Sequence, residues 1–315
     1  MNNKKNVLLT VIISVALASA CSKSKSLRLQ LNLDAGKTYR TKMVSEQIIK
    51  QTFKGAEQSI SQRIGMGYSM EVLSRDEKNV YDIRVKYDSI EFEQKGPFGL
   101  IEYNSEHPPE NVPPMAMGFA SLLGQSFNMK LDSMGKVYSI EGIDKIIDNL
   151  LNKMNIPNDN PMSKQIRENL KSTFGEDSIK ESMKSWFSIY REEPIKVGDL
   201  WTQDMRIEKG FPMIINSTFT LTERKKNVAT ITVISSINTD DSTSFVKMGK
   251  ILMSYNLKGE QKGNLKIDEL TGMISGGSLT QDVKGSMTIN SDIDKLSSKQ
   301  EIPMSIQSKI EFFKL

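Results

Sequence analysis

Cysteine is almost absent from this chain of 315 residues, where Cys21 stands alone. A single thiol can close no internal disulfide, and cysteine-based zinc sites and haem attachment through paired cysteines go with it. Histidine is equally scarce: with His107 the only one, a histidine-rich metal site or a serine–histidine triad with a helper histidine is hard to build. No apolar run reaches the ~20 residues that a helix needs to cross the hydrocarbon of a membrane. An excess of one charge is missing too. Lys and Arg number 42 against 38 Asp and Glu, a balance that leaves no electrostatic footprint for nucleic acid. Packing alone must hold the fold, and the chain is long enough to bury a sizeable core in one large domain or two modest ones.

What is present begins with an address. Lys4 and Lys5 precede an apolar run from Val7 to Leu17, and the small residues Ala18, Ser19 and Ala20 follow, so residues 1–20 have the order of a signal peptide. The junction with Cys21 resembles the lipobox of bacterial lipoproteins, where the thiol is diacylated before type II signal peptidase cuts. One position departs from that pattern: Ala18 stands three places before the cysteine, where Leu is usual, and Leu17 sits one place early. Ala18-x-Ala20 also suits type I signal peptidase, which would cut the same bond and release an ordinary secreted chain. The placement of the only cysteine at this junction favours lipidation of Cys21. Two or three acyl chains, at ~0.8 kcal/mol per buried methylene, would hold the chain firmly on a membrane. Residues 21–26 then read as a polar tether. The tether lacks the acidic run associated with surface display, so the expected location is the cell envelope, lipid-anchored in the outer membrane and facing the periplasm. Loss of Lys4 and Lys5 with the signal lowers the formal charge from +4 by two, to +2.

Period-two alternation dominates both ends of the mature domain, residues 27–315. Ile60, Ile64, Met66, Tyr68, Met70 and Val72 share one face and Ser61, Arg63, Ser69 and Glu71 the other, the pattern of a half-buried strand. Tyr39, Met43, Ile49 and Phe53 line a strand before it, and Tyr81, Ile83, Val85 and Tyr87 one after it. Beyond Ser89 the apolar parity shifts to Ile90 and Phe92, which predicts a bulge that bends the strand. A proline-rich loop leads to a short apolar helix expected at Met115 to Leu123, and a hairpin follows, turning at Asp132-Ser133-Met134-Gly135. Residues 141–191 read as helical. A first stripe carries Ile143, Ile146, Ile147, Leu150, Leu151 and Met154. A second helix begins at Asn160-Pro161 with Ile166, Leu170 and Phe174, and a third opens on a Ser178/Glu181 capping box. Alternation returns over residues 195–315, where Arg224, Lys225 and Lys226 form a solvated hairpin turn. The expected fold class is α+β, a long curved antiparallel β-sheet with a central block of about three amphipathic helices. Ala35-Gly36-Lys37-Thr38-Tyr39 and Val197-Gly198-Asp199-Leu200-Trp201 open the two strand blocks alike, which suggests a distant duplication.

Each motif with catalytic overtones has a plainer reading. Gly36-Lys37-Thr38 echoes the end of a phosphate-binding loop, but Leu31 stands where the earlier glycine belongs. Ser133 and Lys136 have the spacing of a serine–lysine hydrolase yet fall in the predicted hairpin turn, without companion motifs. Asn158, Asp159 and Asn160 could ligate calcium, though no glutamate follows at the spacing of a calcium loop. His107, beside Pro108, reads as a surface loop residue. No catalytic residue, metal ligand or cofactor is assigned, and the chain is expected not to be an enzyme. Methionine is the residue in surplus, at 18. Met43, Met66, Met70, Met253, Met287 and Met304 all fall on apolar strand faces, where soft side chains either fill a core or line a concave sheet that accepts acyl chains. The candidate ligand-binding set is Met43, Met66, Tyr68, Met70, Met253 and Tyr255.

Four stretches carry a wider resemblance: Leu33-Asp34-Ala35-Gly36-Lys37-Thr38-Tyr39; Tyr81-Asp82-Ile83-Arg84-Val85 with Tyr87-Asp88-Ser89; Val197-Gly198-Asp199-Leu200-Trp201; and Asp268-Glu269-Leu270-Thr271-Gly272-Met273. In these the chain resembles a family of Bacteroidota lipoproteins catalogued as a domain of unknown function, over nearly the whole mature chain. The resemblance implies no functional residue. In architecture alone, a bent antiparallel sheet with helices against it is similar to periplasmic lipoprotein carriers and lipid-binding lipoproteins. The first expectation is a non-enzymatic envelope lipoprotein that binds a hydrophobic ligand or lipid in its curved sheet. The alternative is a structural or accessory lipoprotein that docks onto an envelope protein complex. The membrane, through the lipid anchor, is the common partner of both.

Overall fold

The computed structural model describes residues 26–53, 55–97, 99–153, 164, 167, 168, 171, 175–207, 213–239, 245–248, 251–291 and 298–315. The N-terminal strands are β1 (Thr38–Phe53), β2 (Ala56–Arg75), β3 (Val80–Gly96), β4 (Gly99–Asn104), β5 (Ser126–Asp132) and β6 (Val137–Glu141). The C-terminal ones are β7 (Leu200–Ile207), β8 (Met213–Lys225), β9 (Val228–Thr239), β10 (Phe245–Met248), β11 (Ile251–Asp268), β12 (Ile274–Ser291) and β13 (Ser298–Lys314). Between them lie α1 (Met117–Leu122), α2 (Ile143–Lys153) and α3 (Glu176–Phe187). All strands join one antiparallel sheet in the order β6-β5-β3-β2-β1-β13-β12-β11-β9-β8-β7, with β4 added to β3 and β10 to β11. The two strand blocks are stitched together at the β1–β13 pair.

The expected α+β fold with a central block of about three helices is overturned. Strand makes up 64% of the structure, and the described residues of the 141–191 segment hold two short helices, α2 of 11 residues and α3 of 12. The reason is what the apolar stripes pack against. The α2 stripe of Ile143, Ile146, Ile147 and Leu151 buries into the same cluster as Tyr81, Ile83, Phe127 and Met129 of the sheet, so the helix is a cover on a β scaffold. Of the second expected helix only Lys164, Arg167, Glu168 and Lys171 are described, and they are helical; Ile166, Leu170 and Phe174 lie outside the described residues, as does Met154. The third starts earlier than its expected capping box: Gly175 is the N-cap, with no side-chain cap bond, and Ser178 and Glu181 fall inside α3.

Local features follow the chemistry of the chain. Gly67 pairs with Ser89 and Tyr68 with Tyr87, so Asp88 is the extra residue of a bulge and the cause of the parity shift before Ile90. Lys226 and Asn227 turn β8 into β9 with φ of 52° and 60°, the left-handed pair of a tight hairpin. The two similar openings share one bonding scheme. Gly36 N donates to Val72 O and Val72 N to Lys37 O, just as Gly198 N donates to Leu221 O and Leu221 N to Asp199 O.

The sheet is rolled, because α3 touches both of its edges, β6 and β7. A strap, residues 27–33, crosses that end. Leu27 N donates to Ile195 O at 2.7 Å, Leu31 N to Ser133 O at 2.7 Å and Asn32 N to Thr271 O at 2.9 Å. Its four leucines, Leu27, Leu29, Leu31 and Leu33, are at most 7% exposed, and each such burial stabilises by about 1.5–3 kcal/mol. Leu27 and Leu29 pack with Trp201, Phe219 and Ile231 under the C-terminal strands, and Leu31 and Leu33 pack under the N-terminal ones.

Register also assembles a feature that no single strand displays. Gln94, Gln62, Gln47, Ser308, Gln281, Gln261, Ser235, Ser217 and Gln203 stand side by side across β3, β2, β1, β13, β12, β11, β9, β8 and β7. This polar row lies on the inner, helix-covered face. On one side of it run Ile64, Phe92, Ile310, Leu279, Val233, Phe219 and Trp201, interrupted by Ser45 on β1 and Gly263 on β11, and on the other Ile49, Ile60, Ile306, Val283, Ile237, Ile215 and Met205, interrupted by Gly259 on β11.

Candidate ligand-binding site

Between the rolled sheet and α3 lies a cavity of about 280 Å³. Its floor is the inner face of the N-terminal strands: Thr41 on β1, Tyr68 and Met70 on β2, Ile83, Val85 and Tyr87 on β3, and Phe127, Met129 and Leu131 on β5. Phe312 on β13 closes one side. The roof is one stripe of α3, where Ile179, Met183 and Phe187 recur every four residues, continued by Tyr190. Leu31 and Leu33 of the strap form the end wall with Met273 and Ile274. That wall depends on Gly272, whose φ is 73° and where a Cβ would stand 2.0 Å from Gln30 O. Only glycine lets the strap pass so close.

The polar side-chain atoms in this lining are few, and three of them are engaged. Tyr190 Oη donates to Gly272 O at 2.8 Å, Tyr68 Oη meets Met66 Sδ at 3.0 Å, and Thr41 Oγ1 donates to Phe313 O at 3.1 Å. Tyr68 and Tyr87 stack at a tilt with ring centroids 5.3 Å apart. Burial raises the pKa of all three phenols, and the neighbouring Tyr87 adds to the rise at Tyr68. They stay neutral at physiological pH, as donors rather than bases. Among the described residues the lining holds no Asp, Glu, His, Lys, Arg or Cys side chain. This chemistry suits an apolar molecule, with four methionines, Met70, Met129, Met183 and Met273, able to adjust around it.

The six candidate residues do not converge. Tyr68 and Met70 line the cavity. Met43 packs on the Trp201 and Phe219 cluster, and Met66 on that of Ile90 and Phe92. Met253 and Tyr255 lie on β11, with Tyr255 against Ile237 and Leu257. Period-two reading finds the apolar face of a strand but not the height along it at which a cavity opens. The roof and end wall went unnoticed because α3 and the Asp268–Met273 turn show their partners only in three dimensions. Cys21, Asn158, Asp159 and Asn160 lie outside the described residues.

The remaining motifs have structural duties. Asp132 Oδ1 accepts from Met134 N at 2.9 Å and Lys136 N at 3.0 Å, so Ser133 and Lys136 belong to the β5–β6 turn. Lys37 pairs with Asp34 at 2.6 Å on the surface. Arg224 makes two 2.8 Å bonds to Glu269 and braces the β8–β9 turn. His107 is exposed in the loop after β4. Among the described residues no group of three or more His, Cys, Asp or Glu side chains could hold a metal ion.

Residues 78–274, more than half of the chain, match a family of unknown function, DUF6263. The chain belongs to that family. The DUF6263 match runs from the β2–β3 turn to the start of β12, a narrower span than the near-complete coverage read from the four motifs, and it takes in most of the cavity but not Leu31, Leu33, Thr41, Tyr68, Met70 or Phe312. No curated protein matches the sequence. Among solved structures, one described as lipid–protein interactions in lipovitellin is similar over 90% of this chain at 12% identity and a TM-score of 0.49. This chain spans a quarter of it, 25% of that chain's length. DynF from the dynemicin biosynthesis pathway of Micromonospora chersina is similar over 92% of this chain and 85% of its own, at 6% identity and a TM-score of 0.18. Pseudomonas aeruginosa OccK2 in complex with glucuronate covers 89% of this chain and 99% of its own, at 5% identity and a TM-score of 0.18. At these scores the likenesses carry no functional information.

Proposed function

We propose that this chain is a non-enzymatic bacterial envelope lipoprotein, acylated at Cys21, that holds a hydrophobic ligand inside its rolled sheet. One observation carries the reading: among the described residues the cavity under α3 is lined by aliphatic, aromatic and methionine side chains and one threonine, with no carboxylate, imidazole, amine, guanidinium or thiol. Such a lining can desolvate an aliphatic chain, and its phenols, held neutral by burial, are weak acids and weak nucleophiles towards it. At about 280 Å³ the space is small, close to the ~300 Å³ lower end of ligand pockets, so one slender molecule fits better than a bulky one. The sequence motifs at Lys4 to Cys21 support export and lipid anchoring, with the outer membrane facing the periplasm as the location.

Filling the cavity tests this. Met183→Trp places a large ring where the roof faces Met70 and Met129. An apolar fluorescent dye that binds the original chain should bind the variant at least about tenfold more weakly, with an unchanged thermal midpoint. Equal dye affinity in a folded variant would remove the cavity as the binding site.

A further inference from the structure

We propose that the ligand is an amphiphile with one long aliphatic chain and an uncharged, hydrogen-bonding head, and that the head rests on the Gln47–Gln62–Gln94 part of the polar row while the chain runs along β1 to the cavity. This deepens the cavity reading and rests on it. Both sites share the inner face of β1 and β2. From Gln47 to Thr41 at the cavity is six residues along β1, or about 20 Å at ~3.4 Å per residue. A lipid acyl chain spans about 15 Å, half the ~30 Å hydrocarbon core, so a head group that takes up the first ~5 Å along β1 from Gln47 brings the end of the chain to Thr41 at the edge of the cavity.

Between the row and the cavity, Met43 of β1 stands directly opposite Met66 of β2. Both are half-buried, and unbranched thioether side chains repack at low cost. Two residues that sequence reading singled out thus lie on the path of the chain instead of in its terminal pocket.

The chemistry of the row selects the head. Gln47 Nε2 donates to Gln62 Oε1 at 2.5 Å, and Gln62 Nε2 donates to Gln94 Oε1 at 3.1 Å. Each amide has two donor hydrogens and two acceptor lone pairs, so this relay leaves capacity for hydroxyl, ester or amide groups. No position of the row is charged. The cations beside it, Arg63, Lys95, Lys262 and Lys309, alternate onto the opposite face of their strands, where Arg63 pairs with Glu46 and Lys309 with Glu311. A carboxylate or phosphate half-desolvated at the row would find no counter-charge.

The test uses the full chain with Cys21→Ser, so that its own acyl groups are absent, and measures displacement of an apolar dye by monopalmitoylglycerol and by palmitate. The uncharged amphiphile should bind about tenfold or more tightly than palmitate. Gln47→Leu with Gln62→Leu should cut that preference to about twofold or less while dye affinity holds. The isosteric Gln62→Glu, which keeps the strand packing, should weaken palmitate further by about tenfold through like-charge repulsion. A preference for palmitate, or a preference unmoved in both variants, refutes the head site and leaves the cavity standing. If neither dye nor amphiphile binds the parent chain, the cavity reading fails and takes this one with it.

Discussion

Replacing Gly135 with alanine should loosen the cover of the cavity. Gly135 sits in the β5–β6 turn at φ 78°, and a Cβ there would stand 2.2 Å from Phe187 Cβ and 2.3 Å from Phe187 Cγ. Two costs add. An alanine in the left-handed region costs about 1–2 kcal/mol, and pushing the end of α3 off the turn adds the ~1–3 kcal/mol typical of overpacking. The sum, about 2–5 kcal/mol, is a large share of the ~5–15 kcal/mol by which folded domains are stable. Equilibrium urea denaturation of the full chain reads it as a fall in midpoint. A double-mutant cycle separates the two causes. In a Phe187→Ala background the clash is gone, so Gly135→Ala should cost only the backbone part, about 1–2 kcal/mol, with a coupling of about 1–3 kcal/mol between the sites. A loss that is the same with and without Phe187 would refute the claim that this contact seats α3.

Three further outcomes are expected. Tyr81 is fully buried and its hydroxyl donates to Leu31 O at 3.1 Å, so Tyr81→Phe leaves a buried strap carbonyl unpaired and should cost about 1–3 kcal/mol in thermal denaturation; no change would mean that the strap is held elsewhere. Burial alone would raise the Asp268 carboxyl, but Lys314 and the backbone N–H groups of Leu270 and Thr271 outweigh it and hold the pKa below its ordinary value. A carboxylate depressed on folding stabilises above its unfolded pKa of about 3.9 and loses that contribution as pH falls through the folded value. The stability gap between the parent chain and Asp268→Asn should therefore be full at neutral pH and shrink below about pH 3.9, whereas a gap independent of pH would exclude the ion pair as its source. Cys21→Ser should shift the chain from the membrane to the soluble fraction after export, and continued membrane association would count against the lipid anchor.

Much of the sheet was legible because a strand writes its faces into the sequence at period two. Ile60 to Val72 became β2, and the parity shift before Ile90 marked a bulge at Asp88. The helices were legible as stripes and misleading as architecture. Ile143, Ile146 and Ile147 announce an amphipathic helix, but nothing in their spacing says whether the apolar face meets another helix or a sheet. The candidate site was half legible for a related reason. Alternation placed Met253 and Tyr255 on the same kind of face as Tyr68 and Met70, and only strand order separates β11 from the cavity. The polar row was invisible strand by strand. Gln47, Gln62 or Gln281 alone looks like an ordinary break in an apolar face, and register alone aligns them.

The central claim is that an apolar ligand occupies the space under α3, and mass spectrometry of the chain purified natively from membranes tests it most directly. The expected result is a stoichiometric aliphatic molecule with an uncharged head, displaced when Met183→Trp fills the cavity. Chain that carries no apolar molecule, and takes up none when one is offered, would contradict the account.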